Sequence, residues 1–137
     1  MPIVAEIQGN LFDSNLSLAH CVSEDLRMGA GIAVQFKKIF KRVDELVEQK
    51  KQVGEVAYIM DENRYIFYII TKKCYYQKPT YESLEKALRA LDQLCSDLKV
   101  DIAVPQLGCG LDKLEWCVVR NMLDEMACNV TVYVLNT

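Results

Sequence analysis

The sequence is poor in the groups that metal, redox and nucleic-acid proteins rely on. It has a single histidine, His20, and its six cysteines (Cys21, Cys74, Cys95, Cys109, Cys117 and Cys128) form no C-x-x-C pair and no zinc-like cluster with it. No metal site is therefore expected. Most of these cysteines sit in apolar segments, where the thiol behaves as a small hydrophobe, so reduced thiols and an intracellular compartment are expected. A net charge of −3 argues against generic nucleic-acid binding, which needs a basic face to displace counterions. There is no signal peptide, membrane-length apolar run or basic tail, which points to the cytoplasm or nucleus. Linkers, repeats and low-complexity stretches are absent too. Gly29-x-Gly31 lacks the rest of a dinucleotide fingerprint, and no Gly-Lys-Ser/Thr phosphate loop occurs. Hydride transfer and ATP hydrolysis are poor readings for such a chain.

What is there suffices for one domain with a buried core, since 51% of the 137 residues are hydrophobic. Ile3 to Ile7 reads as a strand, and Leu16 to Val22 as a second, apolar enough to be buried on both faces. Helices are predicted from Ile32 to Phe40 and from Val43 to Lys51. Glu55–Met60 and Tyr65–Thr71 flank the polar turn Asp61-Glu62-Asn63, as in an antiparallel hairpin. A long helix starts after Pro79-Thr80, with Leu84, Ala87, Leu88, Leu91, Leu94, Cys95 and Leu98 on one stripe. Ile102-Ala103-Val104 forms a further strand, Trp116, Val119, Leu123 and Met126 lie on one helical face, and Val130 to Leu135 closes the sheet. Strands interleaved with helices, plus one hairpin, predict a mixed sheet of roughly six strands covered by helices on both faces, an α/β class of fold.

The stretch that organises this pattern is Pro105-Gln106-Leu107-Gly108-Cys109-Gly110-Leu111-Asp112. A buried strand runs into two glycines, and a helix follows. A second such loop, Gly29-Ala30-Gly31, opens the helix at Ile32. Orphan backbone N–H groups and a helix dipole favour negative charge at such turns, so two of them can cradle a pyrophosphate. The plain alternative is two ordinary turns. Asp112 is out of place beside an anion: it is either the N-cap of the next helix, as Asp112-x-x-Glu115 suggests and as aspartate's preference for that position favours, or a working group. Lys72, at a strand end beside Lys73, reads on its own as a solvated charge. His20 reads as a satisfied core histidine, and Cys109 as a small residue that fits its loop rather than a reactive thiol.

Several motifs carry a resemblance. Gly9-Asn10-Leu11-Phe12, Ala19-His20-Cys21-x-Ser23-Glu24-Asp25, Arg27-Met28-Gly29-Ala30-Gly31-Ile32-Ala33 and Ile70-Thr71-Lys72-Lys73 resemble one branch of the macrodomains. So do Lys78-Pro79-Thr80-Tyr81-Glu82, Gly108-Cys109-Gly110-Leu111-Asp112 and Thr131-Val132-Tyr133. The branch is that of the terminal ADP-ribose protein glycohydrolases, also described as O-acetyl-ADP-ribose deacetylases, and the match runs in register over essentially the whole chain. It implies a macrodomain, a three-layer α/β/α sandwich, with ADP-ribose as ligand and no cofactor.

The resemblance also implies chemistry. A lysine at the position of Lys72 attacks the anomeric carbon of the distal ribose and displaces a glutamate or aspartate ester; an aspartate at the position of Asp112 is the base that resolves the adduct. An amine nucleophile divides one hard displacement into two easier steps. It must first lose its proton, and a neighbouring carboxylate by itself favours the ammonium. Asp112 is therefore expected to help by accepting a proton during the reaction. The resemblance places Asn10 and Leu11 at the adenine end, and Ser23, Gly29, Gly31 and Ile32 at the distal ribose and phosphates. Thr71 accompanies Lys72, while Gln106, Leu107, Gly108, Cys109, Gly110 and Leu111 wrap the pyrophosphate and ribose, and Leu135 borders the adenosine. Asn10 departs from the aspartate usual in macrodomains; its amide oxygen accepts without charge, so weaker or less selective adenine binding is expected. The expected substrates are mono-ADP-ribosylated proteins, with O-acetyl-ADP-ribose and ADP-ribosylated DNA also permitted, acted on by a monomer away from membranes. The alternatives are an ADP-ribose reader without turnover, which has no need of both Lys72 and Asp112, and an interaction domain with a degenerate cleft.

Overall fold

A computed structural model of the protein describes residues 2–134. The strands are β1 (Ile3–Gln8), β2 (Ser17–Ser23), β3 (Val56–Asp61), β4 (Arg64–Lys72), β5 (Ile102–Val104) and β6 (Val130–Val134). The helices are α1 (Ile32–Phe40), α2 (Val43–Glu48), α3 (Tyr81–Leu98) and α4 (Trp116–Asp124), with a 3-10 turn at Leu11–Asp13. Among the described residues these strands form one six-stranded sheet in the order β1-β6-β5-β2-β4-β3. Its pairs are parallel except β3 with β4, which are joined as an antiparallel hairpin across Glu62-Asn63.

The apolar run read as buried on both faces, which forms β2, is so because alternate side chains feed two cores, and β4 shares this arrangement. Leu18, Val22, Ile66, Tyr68 and Ile70 face α1 and α2, where Phe36, Phe40 and Leu46 meet them. Ala19, Phe67 and Ile69 face α3 and α4, where Leu84, Leu91, Val119 and Leu123 meet them. The result is the three-layer arrangement of helices, sheet and helices that the sequence predicts. The α3 stripe is buried as expected, and its start is fixed by a reciprocal cap between Thr80 and Ser83.

Two expectations change. The helix predicted to run from Val43 to Lys51 stops at Glu48. Gln49 turns its amide sideways, accepting from Tyr58 N–H at 3.0 Å and donating to Tyr58 O at 2.7 Å, and Lys50 takes a left-handed φ of 53°. The helix predicted directly after the second glycine loop begins only at Trp116. Among the described residues no helix is long and apolar enough to cross a membrane.

Topology singles out one crevice. The neighbours β2 and β5 lead to helices on opposite faces, α1 and α4. The loops after them separate at the carboxyl ends of the strands, the place where open α/β sheets take ligands. Both glycine loops are there.

Candidate active site

The first glycine loop is held open by backbone conformation. Gly31 has φ 62° and ψ −150°, a combination that strains any residue with a Cβ, and it is the N-cap of α1 with no side-chain cap. Among the described residues, none accepts a hydrogen bond from the N–H groups of Gly29, Ala30, Gly31, Ile32 or Ala33. Those donors, at the positive end of a nine-residue helix with no acidic residue in its first turn, suit a phosphate. The second loop comes close, since a Cβ placed on Gly31 would lie 3.7 Å from Leu111 Cδ1.

The second loop is longer and folds on itself. Cys109 N–H donates to Gln106 O, Lys113 N–H to Gly110 O and Leu114 N–H to Gly108 O, and Glu115 N–H reaches the Tyr81 hydroxyl at 3.0 Å. Gly108 sits at φ 70°, and any Cβ there would meet Leu114 Cδ1 at 2.7 Å. Leu111 to Glu115 are used up in these turns before α4 begins. The N-cap of α4 is Glu115, without a side-chain bond, so the expectation that Asp112 caps this helix is overturned. Asp112 faces the other way. Its Oδ1 accepts from Lys72 Nζ at 2.8 Å, and the two side chains are only 18% and 15% exposed.

Lys72 arrives from the end of β4. There the ladder with β2 slips by one residue: Val22 pairs with Ile70, but Ser23 pairs with Lys72, leaving Thr71 as the extra residue. The loop beyond is anchored by Lys78, whose Nζ donates to Leu111 O at 2.7 Å, and by Ser83 Oγ donating to Thr71 O at 2.7 Å. Sequence reasoning gave Lys78 no role of its own. Its only signal was its place in the Lys78-Pro79-Thr80 motif.

The other predicted residues divide by access. Gly29, Gly31, Gly108, Gly110 and Leu111 lie on the two loops, with Ser23 at the end of β2 and Ile32 at the start of α1. The side chains of Leu11 and Leu107 are wholly inside the cores, leaving only their backbones for a ligand. Thr71 is buried and its hydroxyl has no partner among the described residues. Asn10 is exposed, and its Oδ1 already accepts from Phe12 N–H at 3.0 Å, capping the 3-10 turn. Gln106 is half-buried. Cys109 donates to Leu107 O at 3.2 Å, and burial pushes its thiol up to about 11, in line with a space-filling role. Burial, with the charges of Asp112 and Cys109 and against that of Lys72, raises the thiol of Cys21 further. Leu135 lies outside the described residues. Trp116 packs on the core and donates its indole N–H to Glu6 at 3.3 Å, away from the pair.

His20 lies in the core, as read, but it is not satisfied. Neither ring nitrogen has a hydrogen-bond partner among the described residues, and the ring stacks on Phe36 with centroids 3.7 Å apart. Burial pushes its pKa down to about 3 and keeps it neutral. Sequence reasoning also passed over Asp25. Burial acts to raise its pKa, but bonds from Ser23, Tyr75 N–H and Arg27 N–H outweigh that and hold the carboxyl below its usual range. Among the described residues no group of three metal-ligating side chains comes together.

Comparison with known proteins identifies the family and the fold. The Macro domain family model matches residues 19–123. The chain is 48% identical over 139 aligned residues to human ADP-ribose glycohydrolase OARD1, covering 96% of this chain and 91% of that protein. It is 30% identical over 131 residues to the DNA ADP-ribosyl glycohydrolase of Thermus aquaticus, spanning 87% of this chain but 36% of the relative. Among solved structures, the macrodomain of Thermus aquaticus DarG superposes with a TM-score of 0.80 at 27% identity, covering 97% of both chains.

Proposed function

Because the chain belongs to the macrodomain family, with its three-layer α/β/α fold, we propose that it removes mono-ADP-ribose from glutamate and aspartate esters on proteins, with Lys72 as nucleophile and Asp112 as base. The observation that carries this reading is the half-buried Lys72–Asp112 pair, 2.8 Å apart, beside two loops rich in unpaired backbone amides. The name of its human relative supports the reaction class.

In the proposed reaction the diphosphate rests on the N–H groups of Gly29 to Ala33 and of Gly108 and Gly110, where fixed dipoles need no reorganisation to meet negative charge. Lys72 gives a proton to Asp112, and the free amine attacks the anomeric carbon of the distal ribose. The N–C bond forms as the C–O bond to the side-chain carboxylate breaks, and that carboxylate leaves as the anion. Asp112, having returned the first proton to solvent, then takes a proton from water. The resulting oxygen nucleophile forms a new C–O bond at the same carbon, while the N–C bond breaks and its electron pair returns to Lys72. A reader of ADP-ribose has no use for a half-buried amine–carboxylate pair, which argues against binding alone. O-Acetyl-ADP-ribose presents the same sugar with a smaller acyl group, and the Thermus aquaticus relative's name extends the proposal to ADP-ribosylated DNA. We place the work in the cytoplasm or nucleus.

The test is incubation with glutamate-linked mono-ADP-ribosylated protein, followed by intact mass. Wild type is expected to release ADP-ribose, and Asp112→Ala to accumulate a covalent adduct that maps to Lys72. Binding of ADP-ribose by the wild type without release would overturn the proposal in favour of a reader.

A further inference from the structure

One carboxylate joins the loop after β2 to the loop after β4. Asp25 Oδ1 accepts from the Ser23 hydroxyl and from Arg27 N–H at 3.1 Å, and its Oδ2 accepts from Tyr75 N–H at 2.9 Å. Next to it Glu24 N–H donates to Lys72 O at 2.8 Å. The Arg27 guanidinium lies over the Tyr75 ring, 4.1 Å from its centroid, and Arg27 O accepts from Lys37 Nζ of α1 at 3.1 Å. The Ser23 and Arg27 bonds are those of an ordinary local turn, but the Tyr75 bond spans 50 residues, and a local turn has no need of it.

We propose that Asp25 is a positioning residue for the reaction: it clamps the exit of β4, and so Lys72, to the loop that carries Gly29 to Gly31. This rests on the reading of Lys72 as nucleophile. Three donors converge on Asp25, so the position calls for a group that only accepts. Asparagine keeps one oxygen but must set an N–H₂ against one of the three donors. The site then keeps its amides and its pocket but loses the alignment of amine and sugar, and misplacement by about 1 Å costs on the order of a hundredfold in rate.

The experiment uses the full chain. Tyr75 is the second residue of a turn closed by Gln77 N–H to Cys74 O, a position that favours proline. Tyr75→Pro thus removes the N–H while the turn is retained, and Tyr75→Ala removes the ring but keeps the N–H. Melting temperature, ADP-ribose Kd, and kcat and KM on a glutamate-linked mono-ADP-ribosylated peptide are measured for these variants and for Asp25→Asn. A kcat about tenfold or more below wild type for Asp25→Asn, and below Tyr75→Ala for Tyr75→Pro, with KM and Kd within about twofold, is expected. A kcat within about twofold of the reference, or losses in kcat that track melting temperature or KM, would overturn it. If the wild type itself shows no turnover, the proposed function fails, and amide exchange of residues 73–77 decides the clamp. Faster exchange there in Asp25→Asn than in wild type sustains it; equal exchange removes it.

Discussion

After the glycine pair of the first loop the chain reaches a helix at once. Gly31 caps α1, so the unpaired amides of the loop and the first turn of the helix point from one place. After β5 the same local pattern, a buried strand and two glycines, is followed by Leu111 to Glu115 before α4 starts, and those residues deliver a carboxylate to Lys72. The first loop offers positive potential without a side chain. The second offers fewer free amides and one acid, held in place by Leu114, Tyr81 and Lys78. The lesson is that a Gly-x-Gly turn specifies access to the backbone and nothing more. The distance to the next helix decides whether the turn is an anion seat or a mount for a reactive group.

The sharpest way to break this comparison is to remove the chemistry and keep the seat. Lys72→Ala is expected to lower turnover by about a thousandfold or more with ADP-ribose affinity within about threefold, read by product release and calorimetry. Asp112→Ala is expected to lose a similar factor but to accumulate the adduct. If Asp112→Ala instead abolished ADP-ribose binding, the second loop would be an anion seat after all.

Acid should separate the two loops. His20 lies under α1, stacked on Phe36, and has a folded pKa of about 3 against 6.5 for the free side chain. The unfolded chain therefore binds the extra proton first. Stability is unaffected by His20 above about pH 6.5 and falls as pH drops towards 3, by roughly 2–3 kcal/mol at about pH 4.5. In His20→Phe this part of the slope should vanish, as denaturant melts at several pH values would report.

Glycine replacements separate the loops further. Gly31→Ala meets only ordinary contact at 3.7 Å, so its cost is backbone strain of about 1–3 kcal/mol, expected as roughly tenfold weaker ADP-ribose binding. Gly108→Ala adds a clash with Leu114 and should lower kcat more than affinity, because Leu114 is tied into the turns that present Asp112. The smallest effect belongs to neither loop. Asn10→Asp is expected to tighten ADP-ribose binding about threefold, by making the acceptor charged while still capping Phe12 N–H. No change would place the adenine elsewhere.

The layers, the hairpin and the two loops were legible in the sequence because each is written locally, in apolar runs and glycines. What was not legible depends on distant partners. Asp112-x-x-Glu115 is a sound cap signal, yet the carboxylate's partner lies 40 residues upstream, and an ion pair leaves no mark in a five-residue window. The end of α2 at Gln49 is set by Tyr58 on a neighbouring strand. His20 was correctly placed inside, but its lack of partners is a property of everything packed around it. Asp25 was visible in the motif Ser23-Glu24-Asp25, while its third bond, to Tyr75, was not.

The slip between β2 and β4 gives the lysine's aim a parity. With Thr71 as the odd residue, Lys72 emerges where Asp112 can meet it; in an even ladder the same side chain would emerge through the other face of the sheet. Straightening the ladder with Thr71 still in it would therefore silence the amine while leaving both proposed catalytic residues in the sequence. A survey of relatives that scores only a lysine and an aspartate would count such a chain as competent, whereas the register of Lys72 against Ser23 would expose it.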